Sequence, residues 1–143
     1  DATTGDSALH VVAMRRDLTW LNFLLYKGAN ANQRNDRGVT PLGIACSLGW
    51  AEGAQLLVDR AARVNDPDNN GETPLIVAVH LRNVELVRLL LKAGADPLRA
   101  DNSGRSANDY AALLGADSAI AGEIEAAVKA AKQRRQGSYG PSF

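Results

Sequence analysis

Four glycines, Gly5, Gly38, Gly71 and Gly104, stand thirty-three residues apart, and the residues around them recur with them. Two places after each glycine comes a hydroxyl residue: Ser7, Thr40, Thr73 or Ser106. Ala8, Pro41, Pro74 or Ala107 follows, and the first three copies then place a leucine as Leu9, Leu42 and Leu75. A fixed interval of this size marks one supersecondary unit copied and stacked, because a single unit cannot bury its own apolar face. The chain is therefore counted in repeats rather than in spherical cores.

Local chemistry supports the same reading. Thr40 and Thr73 are good N-cap residues, and Pro41 and Pro74 occupy the first helical position, where a missing N–H is harmless. A second helix follows in each copy. Leu24 and Leu25, Leu56 and Leu57, and Leu89, Leu90 and Leu91 recur, preceded by Trp20, Leu21 and Phe23 or by Val84, Leu86 and Val87. Those spacings make one apolar face at helical period. The second helices stop at Gly28 and Gly94, where glycine adopts the left-handed conformation that closes a helix. Repeat two has Ala61 there, which carries a penalty of about 1 kcal/mol if the backbone is kept.

The segments GVTPLGIA from Gly38 and GETPLIVA from Gly71 resemble the G-x-T-P-L-H-x-A motif of the ankyrin repeat. The resemblance covers the chain from Ala2 to about Lys132. It implies an all-α solenoid of four stacked helix-turn-helix repeats with short loop or β-turn fingers, the last repeat a C-terminal cap. The repeats are placed at about 2–34, 35–67, 68–100 and 101–135, and 136–143 is read as an irregular tail from which Tyr139 or Phe143 folds back. The motif histidine survives only as His10, with Gly43, Ile76 and Asp109 in its other places, so its hydrogen-bond network is in doubt in the middle repeats. The turn glycine between the helices is kept as Gly49 and Gly115 and replaced by Arg16 and Arg82. Repeat four has Asn108 for the motif leucine and Glu123 where a buried leucine is expected, which gives it a wetted outer side. Its last helix, roughly 118–133, lines up Ile120, Ile124 and Val128 on one face. Repeat one has no polar cap: Val11, Leu18, Trp20 and Phe23 are apolar, and a further repeat or capping segment is expected before Asp1.

Composition narrows the function. The 143 residues hold 16 basic and 16 acidic side chains, so no global field favours nucleic acid or an anionic membrane. Apolar runs such as 75–79 are far shorter than the roughly 20 residues that cross a bilayer. The single cysteine excludes an internal disulfide framework and a cysteine-based zinc cluster. The opening repeat resembles those of small bacterial ankyrin proteins that carry export signals. A periplasmic or secreted location follows if an upstream signal peptide is removed, and a cytoplasmic one otherwise.

No catalytic constellation is present, and neither a cofactor nor a metal is expected. Cys46 takes the place of a small core residue and reads as a buried hydrophobe rather than a thiol paired with His80. His10 and His80 lack a third ligand at metal spacing. No phosphate-cradling glycine loop follows a strand. Asp66, Asp68 and Asn70 resemble a calcium loop, but Glu72 follows Gly71 at once instead of several residues later. Lys129, Lys132, Arg134 and Arg135 form a solvated helix end. Trp50 is read as core, packed against Leu18 or its neighbours.

Proteins of the resembled family bind partners on a concave face made of loop tips and first-helix edges. By register the tips here are Thr3, Thr4 and Asp6; Asp36, Arg37 and Val39; Asn69, Asn70 and Glu72; and Asn102, Ser103 and Arg105. The helix edges are Met14 with Arg15, Ser47 with Leu48, His80 with Leu81, and Leu113 with Leu114. Met14, Val39, Leu48, Leu81 and Leu114 form an apolar stripe rimmed by Arg15, Arg34, Arg37, Glu72 and Arg105, a pattern that marks an interface. Leu48 and Leu81 are expected to be exposed, whereas Leu113 and Leu114 are split evenly between exposure and inter-repeat core. Arg37 and Leu48 are the expected hot spots. The chain is read as a noncatalytic module, a monomer, that binds a protein or peptide. The alternative is a regulatory or targeting segment of a larger enzyme or secreted effector whose activity lies outside this chain.

Overall fold

The computed structural model describes residues 4–115 and 117–138, among which there are eight α-helices and no strand. They are α1 (Ala8–Met14), α2 (Leu18–Tyr26), α3 (Pro41–Ser47), α4 (Ala51–Asp59), α5 (Pro74–His80), α6 (Val84–Lys92), α7 (Ala107–Ala112) and α8 (Ala119–Ser138). Short turns fold each odd helix back onto the even helix that follows. The odd helices stack in one row, α1 on α3 on α5 on α7, and the even helices in another. Each helical pair is thus covered by its neighbours, and the core is a ribbon running through the stack.

The odd helices begin alike because the same hydroxyl opens each one. Ser7, Thr40, Thr73 and Ser106 accept from the backbone N–H three residues on, at His10, Gly43, Ile76 and Asp109. Ser106 and Asp109 add the reciprocal bond, with the Ser106 N–H donating to Asp109 Oδ2 at 2.9 Å. Leu9, Leu42 and Leu75 are fully buried between the rows, and from the even helices Leu21, Leu57, Leu86 and Leu90 meet them. Of the paired leucines, Leu24, Leu25, Leu56 and Leu89 are half-buried against this core.

Repeat four packs on repeat three through α7 on α5 and α8 on α6. Ile120 and Ile124 are buried and Val128 packs beside them, while Glu123 is held by Arg88 at 2.8 Å instead of standing free in water. The helix α8 runs to Ser138, through 136–138, where irregular chain was expected; a glycine inside a helix costs only about 1 kcal/mol, so Gly137 does not stop it. Tyr139 and Phe143 lie outside the described residues, as does Thr3.

Repeat one differs from the expected apolar face. Leu21 is buried, but Trp20 is 53% and Phe23 45% exposed, and their rings meet edge to face at 5.3 Å. The equivalent of Trp20 two repeats on is Leu86, which is fully buried because a preceding hairpin covers it.

Trp50 is core, as expected, by an unanticipated route. It stands where α2 and α6 have the capping residues Asp17 and Asn83, so α4 starts without a side-chain cap. Its ring lies over Gly53, where a Cβ would come within 2.1 Å of Trp50 Cε3. The missing side chain at 53 makes room for the indole. Gly53→Ala is expected to cost about 1–3 kcal/mol by overpacking, read as a lower denaturation midpoint.

Three residues other than glycine hold positive φ angles: Arg16 at 53°, Ala61 at 69° and Arg82 at 54°. The two arginines keep the left-handed turn that Gly49 makes in repeat two, so the turn is strained rather than reshaped. Ala61 sits as Gly28 and Gly94 do at the ends of α2 and α6. Ala61→Gly is expected to raise stability by about 1 kcal/mol and the melting temperature by roughly 3–5 °C; an unchanged or lower value would sink this account of the turn.

Candidate functional site

The fingers between repeats are built by side chains folded onto their own backbone. Asn35 Oδ1 accepts from the N–H groups of Arg37 at 3.0 Å and Val39 at 2.9 Å. Asp68 does the same for Asn70 at 2.8 Å and Glu72 at 3.0 Å, and Asp101 for Ser103 at 2.9 Å and Arg105 at 3.1 Å. The Asp68 carboxylate is thereby a turn template, which accounts for the calcium-like spacing without a cation. These three residues recur at the thirty-three-residue interval, a signal that a search centred on the glycines misses.

Neighbouring fingers are tied in a row. The Asp36 N–H donates to Thr4 O at 3.0 Å, Asn69 N–H to Arg37 O at 2.9 Å and Asn102 N–H to Asn70 O at 3.0 Å. The side-chain amides of Asn69 and Asn102 add bonds to Asp36 O at 2.9 Å and Asn69 O at 3.0 Å. This explains Gly71, whose φ is +77° and where a Cβ would lie 2.7 Å from the Asn102 nitrogen. Asn35 Nδ2 also donates to Asp6 Oδ1 at 2.9 Å, the largest reason that this carboxyl lies below its ordinary range.

His10 supports the second finger from behind. It is fully buried, and its Nδ1 accepts from the Ser7 N–H at 3.0 Å. A backbone N–H can only donate, so Nε2 carries the proton and donates to Val39 O at 2.7 Å. Gly43 and Ile76 have no such ring to offer, so in the middle repeats only the threonine caps remain.

Between fingers two and three and the odd helices lies a groove of about 320 Å³. Arg37 and Val39 line it from finger two, Glu72 from finger three, and His80 and Leu81 from the end of α5. Five of the expected partner-binding residues thus come together. Met14 is 43% exposed on the end of α1 beside Arg15, and Arg34, Asn70 and Arg105 are exposed along the fingers, all outside the groove lining. Leu81 is 48% exposed, as expected. Leu48 is not: it is half-buried against the core as the cap of α3, and its carbonyl accepts from Arg16 Nη2 at 2.8 Å. Leu114 is likewise half-buried, while Leu113 is 74% exposed and takes the outer place.

His80 Nε2 lies 3.3 Å from Glu72 Oε2, and its ring meets Tyr110 edge to face at 4.5 Å. The Tyr110 hydroxyl donates to Asp101 Oδ2 at 2.5 Å. A polar chain therefore runs from the third finger across α5 and α7 to the fourth. Tyr110 carried no signal, because Ile44 and Val77 hold its place in the preceding repeats.

Cys46 is fully buried and burial pushes its thiol up to about 12, so it is no nucleophile. Among the described residues no cluster of three or more metal-capable side chains occurs, and no helix is long and apolar enough to cross a membrane.

Stacked helical hairpins joined by a row of hydrogen-bonded fingers define a helical-repeat solenoid. The chain belongs to the ankyrin-repeat family: a family model described as ankyrin repeats (3 copies) matches residues 9–101, well over half of it. Proteins of this family are interaction modules and generally noncatalytic, and the repeats mark the chain as a protein-binding module. It is similar to protein phosphatase 1 regulatory subunit 27 of Homo sapiens and of Mus musculus, each 38% identical over 55 residues. That stretch is 38% of this chain and 36% of the relative, so the chain spans just over a third of the length of the curated relatives it matches.

Asp101 gives a test of the finger chemistry. Hydrogen bonds from Ser103, then Tyr110, hold its carboxyl far below the ordinary 3.8. A depressed folded value means stabilisation that is complete above about pH 4 and lost as the pH falls below it. Asp101→Asn is expected to lower the melting temperature at neutral pH and to flatten its decline from about pH 4 to about pH 2.

Proposed function

We propose that the chain acts as a noncatalytic adaptor that holds a segment of a partner protein on the face shared by the fingers and the odd helices. The observation that carries this is the groove in which Arg37, Val39, Glu72, His80 and Leu81 converge from three separate elements. Its chemistry is mixed, with apolar Val39 and Leu81 lining it together with a guanidinium and a carboxylate, the makeup of an apolar centre with a polar rim. The finger row is already bonded into place, so little ordering accompanies binding. Met14, Arg15, Arg34, Asn70 and Arg105 extend the face to either side. Leu48 and Leu114 are half-buried against the core.

A regulatory role within a larger assembly is the second reading, favoured by the relatives' description as regulatory subunits of a phosphatase. Both readings place the partner on the same groove.

The test is affinity capture with wild type and with Arg37→Glu/Leu81→Asp, two exposed sites whose exchange leaves helicity unchanged. Partners held by the groove are expected to bind the double variant at least about 30-fold more weakly, as loss of a hot spot implies. Retention of every captured protein by the folded variant would overturn the assignment.

A further inference from the structure

We propose that the opposite side of the stack carries a second docking site, suited to a basic amphipathic helix of a partner protein. A groove of about 710 Å³ crosses the outer helices α2, α4 and α6, more than twice the volume of the 320 Å³ groove at the fingers. Its floor includes Leu18, Leu56 and Leu89, and its polar rim includes Glu52, Asp59 and Glu85. None of the described residues that line it is basic. Arg60 reaches one end, where it donates to Asn22 Oδ1 at 2.7 Å, and Arg88 is turned away to Glu123 at 2.8 Å. Even with Arg60 counted, the groove keeps an excess of negative charge.

Glu52 and Glu85 lie in the first turns of α4 and α6, where a carboxylate complements the helix dipole. That accounts for two of the charges. It does not account for the apolar floor beside them, where Leu18 of α2 is 38% exposed and Leu56 and Leu89 are half-buried. Charge complementarity and apolar floor together call for an occupant that is cationic at its edges and aliphatic at its centre.

The spacing selects the occupant further. Glu52 and Glu85 hold the same register on adjacent helices, whose axes pack about 8–10 Å apart. A helix rises about 1.5 Å per residue, so cations at i and i+7 stand about 10.5 Å apart. Residues at i+3 and i+4 then lie between the cations on the same face, beside Leu56 and Leu89, which stand one turn along α4 and α6 from the glutamates. A helix of that pattern, laid across the outer row, satisfies both carboxylates and covers the floor.

The probe is a labelled helical peptide of about 15 residues with lysine at i and i+7 and leucine at i+3 and i+4. A control peptide of the same composition moves the leucines to the opposite face. Fluorescence anisotropy is expected to show saturable binding to wild type, and binding at least about tenfold weaker with Glu52→Lys/Glu85→Lys or with the control peptide. Should the double lysine variant fail to fold, Glu52→Gln/Glu85→Gln is expected to weaken binding in the same direction. Arg37→Glu is expected to leave the titration unchanged, which separates this site from the finger groove. No saturable binding up to roughly millimolar peptide, equal binding of the control, indifference to the glutamate substitutions, or loss on Arg37→Glu would each overturn the proposal.

Discussion

Burial of one hairpin by the next is the interaction on which the rest of this molecule depends. A single helical pair of this length has too little apolar surface to hold itself together, and isolated helices of under about 12 residues are marginal in water. Leu9, Leu42 and Leu75 reach complete burial because each lies between its own even helix and the next repeat. The end repeats show the same rule from the other side. Trp20 is half exposed where its equivalent Leu86 is covered, and Glu123 of repeat four is tied back to Arg88 of repeat three.

Stacking sets the distance between repeats, and the fingers exploit that regularity. Because successive repeats advance by the same step, one backbone N–H per finger meets one carbonyl of the finger before it, from Thr4 through Asn70. Asparagine amides double the connection at Asn69 and Asn102. A finger that is bonded both internally and to its neighbour presents Arg37, Val39 and Glu72 in a set arrangement. That arrangement is carried by the backbone hydrogen bonds between fingers together with the Asn and Asp side chains that shape each one.

The departures from the repeat pattern are local and compensated. Trp50 gives up a helix cap and gains burial over Gly53. Arg16 and Arg82 accept left-handed backbone where Gly49 does so without strain, because the pairing of each odd helix with the even helix after it dictates the turn. His10 alone keeps the ring that joins helix start to finger, and its loss elsewhere leaves the threonine caps in place.

The thirty-three-residue interval, with threonine and proline at the helix starts, determined by itself the helical repeat, the order of its elements and the left-handed positions at Gly28, Gly94 and Ala61. Those properties are local or periodic, so residue type and spacing are enough to read them. The turn-forming Asn35, Asp68 and Asp101 were also legible as a second periodic series. Only the tertiary structure decided that Leu48 is half-buried against the core while Leu81 stays exposed, since the two share a register in the repeat. It alone joined Tyr110 to His80 and Asp101, and opened a groove across the outer helices. Such contacts depend on side-chain direction and on neighbours far apart in the chain, and no one-dimensional pattern records either.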